Sequence, residues 1–114
     1  MGCSSDKRTG LQLLLAAAAF TYVSLPAQAQ TIQGRIHSYQ CGDNCYLTIV
    51  DQRGRQHTGL CTARECVSWN ERAAMPSRYN GRRVVVNTGS GEQTDSAGNV
   101  MGRMLAFQRL RFLD

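Results

Sequence analysis

The chain has little of what marks enzymes and membrane proteins at first reading. Its 114 residues include only two histidines, His37 and His57, and no nucleophile elbow, phosphate-cradling glycine motif or H-E-x-x-H pattern occurs. The chemistries those motifs carry therefore have no support, and no catalytic residue is expected. Apolar residues never run unbroken for the ~20 positions a membrane-crossing helix needs. The longest such stretch, LQLLLAAAAFTYVSL, is interrupted by Gln12, Thr21 and Ser24. Aromatics are also few. Beyond residue 29 they are Tyr39, Tyr46, Trp69, Tyr79, Phe107 and Phe112, a poor supply for the stacking platform of a single-strand nucleic-acid binder.

What the chain does have begins with its N-terminus. Lys7 and Arg8 precede the apolar stretch, and PAQA follows it, with small residues at Ala27 and Ala29. That order is the pattern of a cleaved export signal over residues 1–29, with Gln30 as the first mature residue. A myristoyl anchor is not indicated, because Asp6 stands where Ser or Thr is wanted, and Cys3 lies before the apolar stretch rather than after it. The expected location is periplasmic or secreted, with no membrane attachment after cleavage. Residues 30–114 then form one domain, of a size at which a hydrophobic core alone is marginal.

Every cation beyond residue 29 is an arginine, eleven in all against seven carboxylates. They are spread along the sequence, so a solvated surface is the first reading and an anionic partner the second. Four cysteines remain: Cys41, Cys45, Cys61 and Cys66. An even number in a small exported domain reads as a disulfide framework. Four thiolates could also close a zinc site, but C-x3-C and C-x4-C are not the C-x2-C knuckles that make such a site convincing. A thioredoxin-like redox role lacks both its spacing and its βαβ context. Neither a metal nor a cofactor is expected.

Periodicity supplies the elements. TIQGRIHSY, residues 31–39, alternates like a half-buried strand. GDN is turn chemistry, with Gly42 and Asn44 both tolerant of positive φ. CYLTIVD and QHTGLC read as a second and third strand joined through QRGR. Thr62 and Glu65 in TARE have capping-box spacing, which predicts a helix from Ala63 to about Ala74, stopped by Pro76. RRVVVNT is a fourth strand, GSGEQTDSAGN a polar loop, and residues 101–113 a fifth strand. Three meandering strands, a helix, then two strands is the chain order of the OB-fold, a small, partly open five-stranded Greek-key β-barrel. The segments SYQCGDNCYLTIVD, GLCTARECVSWNERAAMPSRYNGRRVVV and DSAGNVMGRM, with the CGDNCYL motif at their head, resemble an uncharacterised family of small exported proteins of Gram-negative bacteria. That resemblance implies export and a single domain, and says nothing of chemistry.

If the first hairpin centres on Asp43 and the second between Arg53 and Gly54, Cys41 lies opposite Cys45, Cys45 lies near Cys61, and Cys66 follows on the first helical turn. Pairing of near neighbours, Cys41 with Cys45 and Cys61 with Cys66, is favoured. The alternative, Cys45 with Cys61 and Cys41 with Cys66, would close longer loops and stabilise more. OB-folds usually hold ligands on the face of strands two and three, flanked by the first and last hairpin loops. The candidate ligand residues on that basis are Tyr39, Tyr46, Thr48, Arg53, Arg55 and His57. They suit a small ligand or glycan, while nucleic acid is not an expected partner. An envelope protein pairing with an exposed barrel edge is the alternative. Asp43, Asn44, Glu92, Asp95 and Asn99 could offer oxygens to a cation, but turn formation explains them first.

Overall fold

Five strands alternate between buried and exposed residues, and that alternation defines the inside of a barrel. The computed structural model describes residues 29–113; the expected export signal at residues 1–29 lies almost wholly outside them. The strands are β1 (Thr31–Cys41), β2 (Cys45–Asp51), β3 (Gln56–Cys61), β4 (Arg83–Thr94) and β5 (Val100–Phe112). They close in the order β1-β2-β3-β5-β4, with β4 returning to pair with β1. This is an OB-fold-like barrel, closed rather than partly open. The β3–β5 pairing that completes it is parallel and short, limited to Leu60 opposite Ala106 and Cys61 opposite Phe107.

Ile32 and Ile36 of β1, Leu47 and Ile49 of β2, Val84 and Val86 of β4, and Phe107 and Leu110 of β5 point inward and are buried. Branched side chains suit this pleated interior, and each full burial contributes about 1.5–3 kcal/mol. Gly34 lies in the same inward row of β1. A Cβ there would come within 2.1 Å of the Val50 carbonyl oxygen, so only glycine lets β1 bend tightly over β2. The bend is assisted by a bulge between Ile36 and Ser38, which leaves His37 unpaired and exposed.

The helix departs from expectation. A 3-10 turn (Arg64–Cys66) leads into α1 (Val67–Arg72), which ends at Ala73 in the left-handed conformation, φ 55°. No side-chain cap forms at its start. The Thr62 hydroxyl instead reaches the Phe107 carbonyl at 3.4 Å, and the amides of Thr62 and Ala63 donate to the same oxygen at 2.9 and 3.1 Å. Thr62 is thus spent on docking the chain to β5 rather than on starting a long helix. Short as it is, the segment closes one mouth of the barrel: Ala63, Cys66 and Trp69 join the core, and an aromatic ladder runs Tyr39–Trp69–Tyr79–Phe112 with ring centroids 4.9–5.8 Å apart.

The second departure is β4. The expected loop of residues 89–99 shrinks to five residues, because β4 continues through GSGEQT to Thr94 and pairs with β5 as far as Val100. Glycines that read as loop are strand residues chosen for clearance. A Cβ at Gly91 would sit 3.0 Å from both the Leu60 Cδ1 and the Ala106 Cβ.

Candidate functional site

Two disulfides are present, Cys41–Cys45 and Cys61–Cys66, with Cα atoms 3.9 and 5.9 Å apart. Near neighbours pair, and the four sulfurs are not available as thiolate ligands or as a redox dithiol. The first disulfide ties the ends of the β1–β2 hairpin, where Cys41 stands opposite Cys45. The second, fully buried, ties the end of β3 to the turn entering α1. The domain is therefore a small β-barrel module held by covalent links as well as by its core.

The six residues expected to line a ligand face do not converge. Tyr39 turns inward: its ring packs edge-on against Trp69 and its hydroxyl bonds Asn70 Oδ1. Burial raises its phenol above the ordinary value. Asn70 in turn donates to the Cys61 carbonyl at 2.9 Å, so the pair anchors α1 to the barrel mouth. Tyr46 and Thr48 face outward on β2, but Thr48 is buried and shares a 2.7 Å hydroxyl contact with Thr58. Arg53 and Arg55 sit in the β2–β3 turn, beyond the end of β2 opposite Tyr46, and His57 lies on β3 across from Ile49 with its ring bonded to Asp51.

That turn is organised around Asp51. Its Oδ1 accepts the amides of Arg53 and Arg55 at 2.8 and 2.9 Å, and its Oδ2 lies 2.8 Å from His57 Nε2. The His57 imidazole first, then the Arg55 and Arg53 amides, hold the Asp51 carboxyl at about 2, below its usual 3.8. A carboxylate so committed sets turn geometry. Asp95 plays the same part in the β4–β5 turn, accepting the Ala97 and Asn99 amides, with Asn99 holding its carboxyl low.

The outer face of β2–β3 is covered by the protein itself at its Tyr46 and Leu60 end, while Thr58 stays exposed. The long β4–β5 hairpin curls over it: Gly91 lies on Leu60, Gln93 Nε2 donates to the Tyr46 hydroxyl at 3.0 Å, and Asn44 grips the Thr94 backbone. Asn44 Nδ2 donates to the Thr94 carbonyl at 2.7 Å while its Oδ1 accepts the Thr94 amide at 3.1 Å. Asn44 thus serves as a clasp between hairpins rather than as a positive-φ turn residue; neither it nor Gly42 has positive φ.

The open surface is on the other side. Outward positions of β1, β4 and β5 form cross-strand rows, Thr31–Asn87–Arg109, Gln33–Val85–Arg111 and Arg35–Arg83. All are exposed except half-buried Val85. Arg109, Arg111 and Arg64 from the 3-10 turn line one cleft of about 710 Å³ with Thr31, Asn87 and Gln108. Among the described residues Glu65 is the only carboxylate in its lining. The side chains of Arg64, Arg109 and Arg111 have no hydrogen-bond or ion-pair partner among the described residues. By contrast Arg35 bonds the Gly81 carbonyl at 3.1 Å, Arg103 pairs with Glu92 at 3.2 Å, and Arg82 lies 4.7 Å over the Phe112 ring. The sequence showed arginines scattered over the whole chain; strand register is what gathers these.

No protein-family model matches the chain, and no curated protein or solved structure matches it.

Proposed function

We propose that the chain is an exported, non-catalytic binding module, periplasmic or secreted, whose working surface is the arginine-lined cleft and whose ligand is anionic. The observation that carries this reading is the convergence of three unpaired guanidinium groups on one cleft. Guanidinium presents a planar fork of donors matched to carboxylate, sulfate or phosphate, and leaving several such groups close together without internal partners favours an outside anion. The disulfides support an oxidising compartment, where such bonds persist. The Asp51–His57 pair, the one arrangement with a catalytic look, is occupied in shaping a turn.

The test is retention on immobilised dextran sulfate at rising salt. The native domain is expected to be retained and released by salt, because exposed charge interactions are screened over about 8–10 Å at physiological ionic strength. Arg109→Gln with Arg111→Gln should elute far earlier than Arg53→Gln with Arg55→Gln, although both remove two charges. Equal elution of the two variants would show only diffuse net charge at work and reject the cleft. Intact mass of the exported protein should show a chain beginning at Gln30 and lacking four thiol hydrogens.

A second reading has one observation in its favour. Val100 and Met101, 56 % and 67 % exposed, sit at the tip of the long hairpin where β5 has no partner on its β3 side. An envelope protein could add a strand there. Met101→Arg would abolish co-purification of such a partner and leave polyanion binding intact.

A further inference from the structure

The cleft carries more chemistry than charge. Strand register slips between Asn87 and Thr88 of β4: Asn87 pairs with Arg109, whereas Thr88 pairs with Phe107. Gln108 is the surplus residue, and two consecutive side chains, Gln108 and Arg109, are therefore exposed where a regular strand would turn one inward. Gly89 accommodates this arrangement, because the Gln108 carboxamide lies within 2.6 Å of where a Cβ would stand. The bulge costs ladder hydrogen bonding; it leaves Arg109 exposed opposite Asn87, while the Gln108 carboxamide folds over Gly89 and its Nε2 donates to the Ser90 carbonyl at 3.4 Å.

Across the sheet, Asn87 Nδ2 donates to the Thr31 hydroxyl oxygen at 3.0 Å. This leaves the Thr31 hydroxyl hydrogen and the Asn87 carbonyl oxygen without a partner among the described residues. Arg109 and Arg111 are two apart on one strand face, about 7 Å by strand rise. The cleft thus alternates cationic donors with neutral groups that both donate and accept. None of its nine lining residues is aromatic, so it offers no base-stacking surface. Its apolar lining is confined to Val85 and Leu110, which gives an acyl chain little to enter.

We propose that the cleft selects a linear acidic glycan, its Arg64, Arg109 and Arg111 reading carboxylate or sulfate groups while Thr31 and Asn87 read sugar hydroxyls. The volume falls within the 300–1,000 Å³ of ordinary ligand sites. This rests on the anion-binding reading above and names the ligand class for the same cleft.

The experiment measures affinity of the exported, disulfide-bonded protein for four probes at one salt concentration: polygalacturonate, dextran sulfate, a single-stranded oligothymidylate, and vesicles containing phosphatidylglycerol. Polygalacturonate or dextran sulfate should bind at least tenfold more tightly than the oligonucleotide or the vesicles. Arg109→Gln with Arg111→Gln should weaken glycan binding tenfold or more, the scale of one lost charge-assisted hydrogen bond. Asn87→Ala with Thr31→Val, which keeps every charge, should weaken glycan binding several-fold and leave oligonucleotide binding unchanged; thermal unfolding verifies that each variant is folded. Arginine-dependent binding that is indifferent to Asn87 and Thr31, or tighter binding of oligonucleotide or vesicles, overturns the glycan assignment while sparing the anion site. Loss of arginine dependence for all four probes overturns both.

Discussion

The outer faces of β2–β3 and of β1–β4–β5 belong to the same closed barrel, yet one is roofed and the other bare. On the first, Leu60 is nearly as buried as a core residue, at 7 % exposure, because the β4–β5 hairpin bends across it. On the second, the outward rows are polar and cationic and nothing within the described residues lies over them. An OB-fold's usual ligand face is therefore defined by where its last hairpin goes. When that hairpin is long and carries glycine on its underside, it covers part of its own barrel and leaves the opposite sheet face open.

The contrast can be broken most severely at Gly91. Gly91→Leu forces a side chain against Leu60 and Ala106, and a loss of about 3 kcal/mol, the upper end for an overpacked site, is expected in chemical denaturation. A polar-to-apolar substitution on the bare side, Gln33→Met, should change stability by no more than about 0.5 kcal/mol, as exposed substitutions usually do. If Gly91→Leu is equally mild, the hairpin does not press on β2–β3. A finer probe is the tether between Gln93 and Tyr46. Tyr46→Phe, Gln93→Leu and the double variant should form a cycle with a coupling of about 1 kcal/mol, the net worth of a partly shielded hydrogen bond.

Acid tests the β2–β3 turn, at the end of the roofed sheet away from the hairpin's clasp. The Asp51 carboxyl is held at about 2 against its ordinary 3.8, so the folded state binds its proton less readily than the unfolded chain. The stabilisation it contributes is complete above about pH 4 and lost as pH falls through 2. Unfolding midpoints measured from pH 5 to pH 2 should fall over that window. Asp51→Asn should be less stable at pH 5 and show a flatter decline; an unchanged slope in that variant would remove Asp51 as the cause.

The smallest effect concerns the Arg35 guanidinium on the bare face, which donates to the Gly81 carbonyl at 3.1 Å. Arg35→Gln should lower stability by no more than about 0.5 kcal/mol, as exposed substitutions usually do. A markedly larger loss in chemical denaturation would mean that this bond holds the open face together.

Much of this architecture is legible in the residue string. Alternation in TIQGRIHSY and CYLTIVD separates inside from outside without reference to any partner, since side-chain direction along a strand has a period of two. The GDN and QRGR turns place Cys41 opposite Cys45 and bring Cys61 near by register alone, and Cys66 follows within one turn. Local signals fail where a residue's partner is distant in sequence. TARE has the spacing of a capping box, but the Phe107 carbonyl, 45 residues on, takes the Thr62 hydroxyl. GSGEQT has the composition of a loop, but the clearance demanded by Leu60 makes its glycines strand residues. Tyr39 alternates as a solvent-side residue only until the bulge at His37 reverses the parity and sends it into the core.

By itself, then, the sequence determined the strands, the chain order of the barrel, the nearness of the four cysteines and the excess of arginine, because each follows from short-range periodicity, spacing or simple composition. Only the tertiary structure decided which sheet face is covered, that the barrel is closed, and that Arg64, Arg109 and Arg111 share a cleft. Those outcomes depend on the curl of one hairpin and on the register slip at Asn87/Thr88, one of two between β4 and β5, and neither leaves a mark in the local pattern of residues.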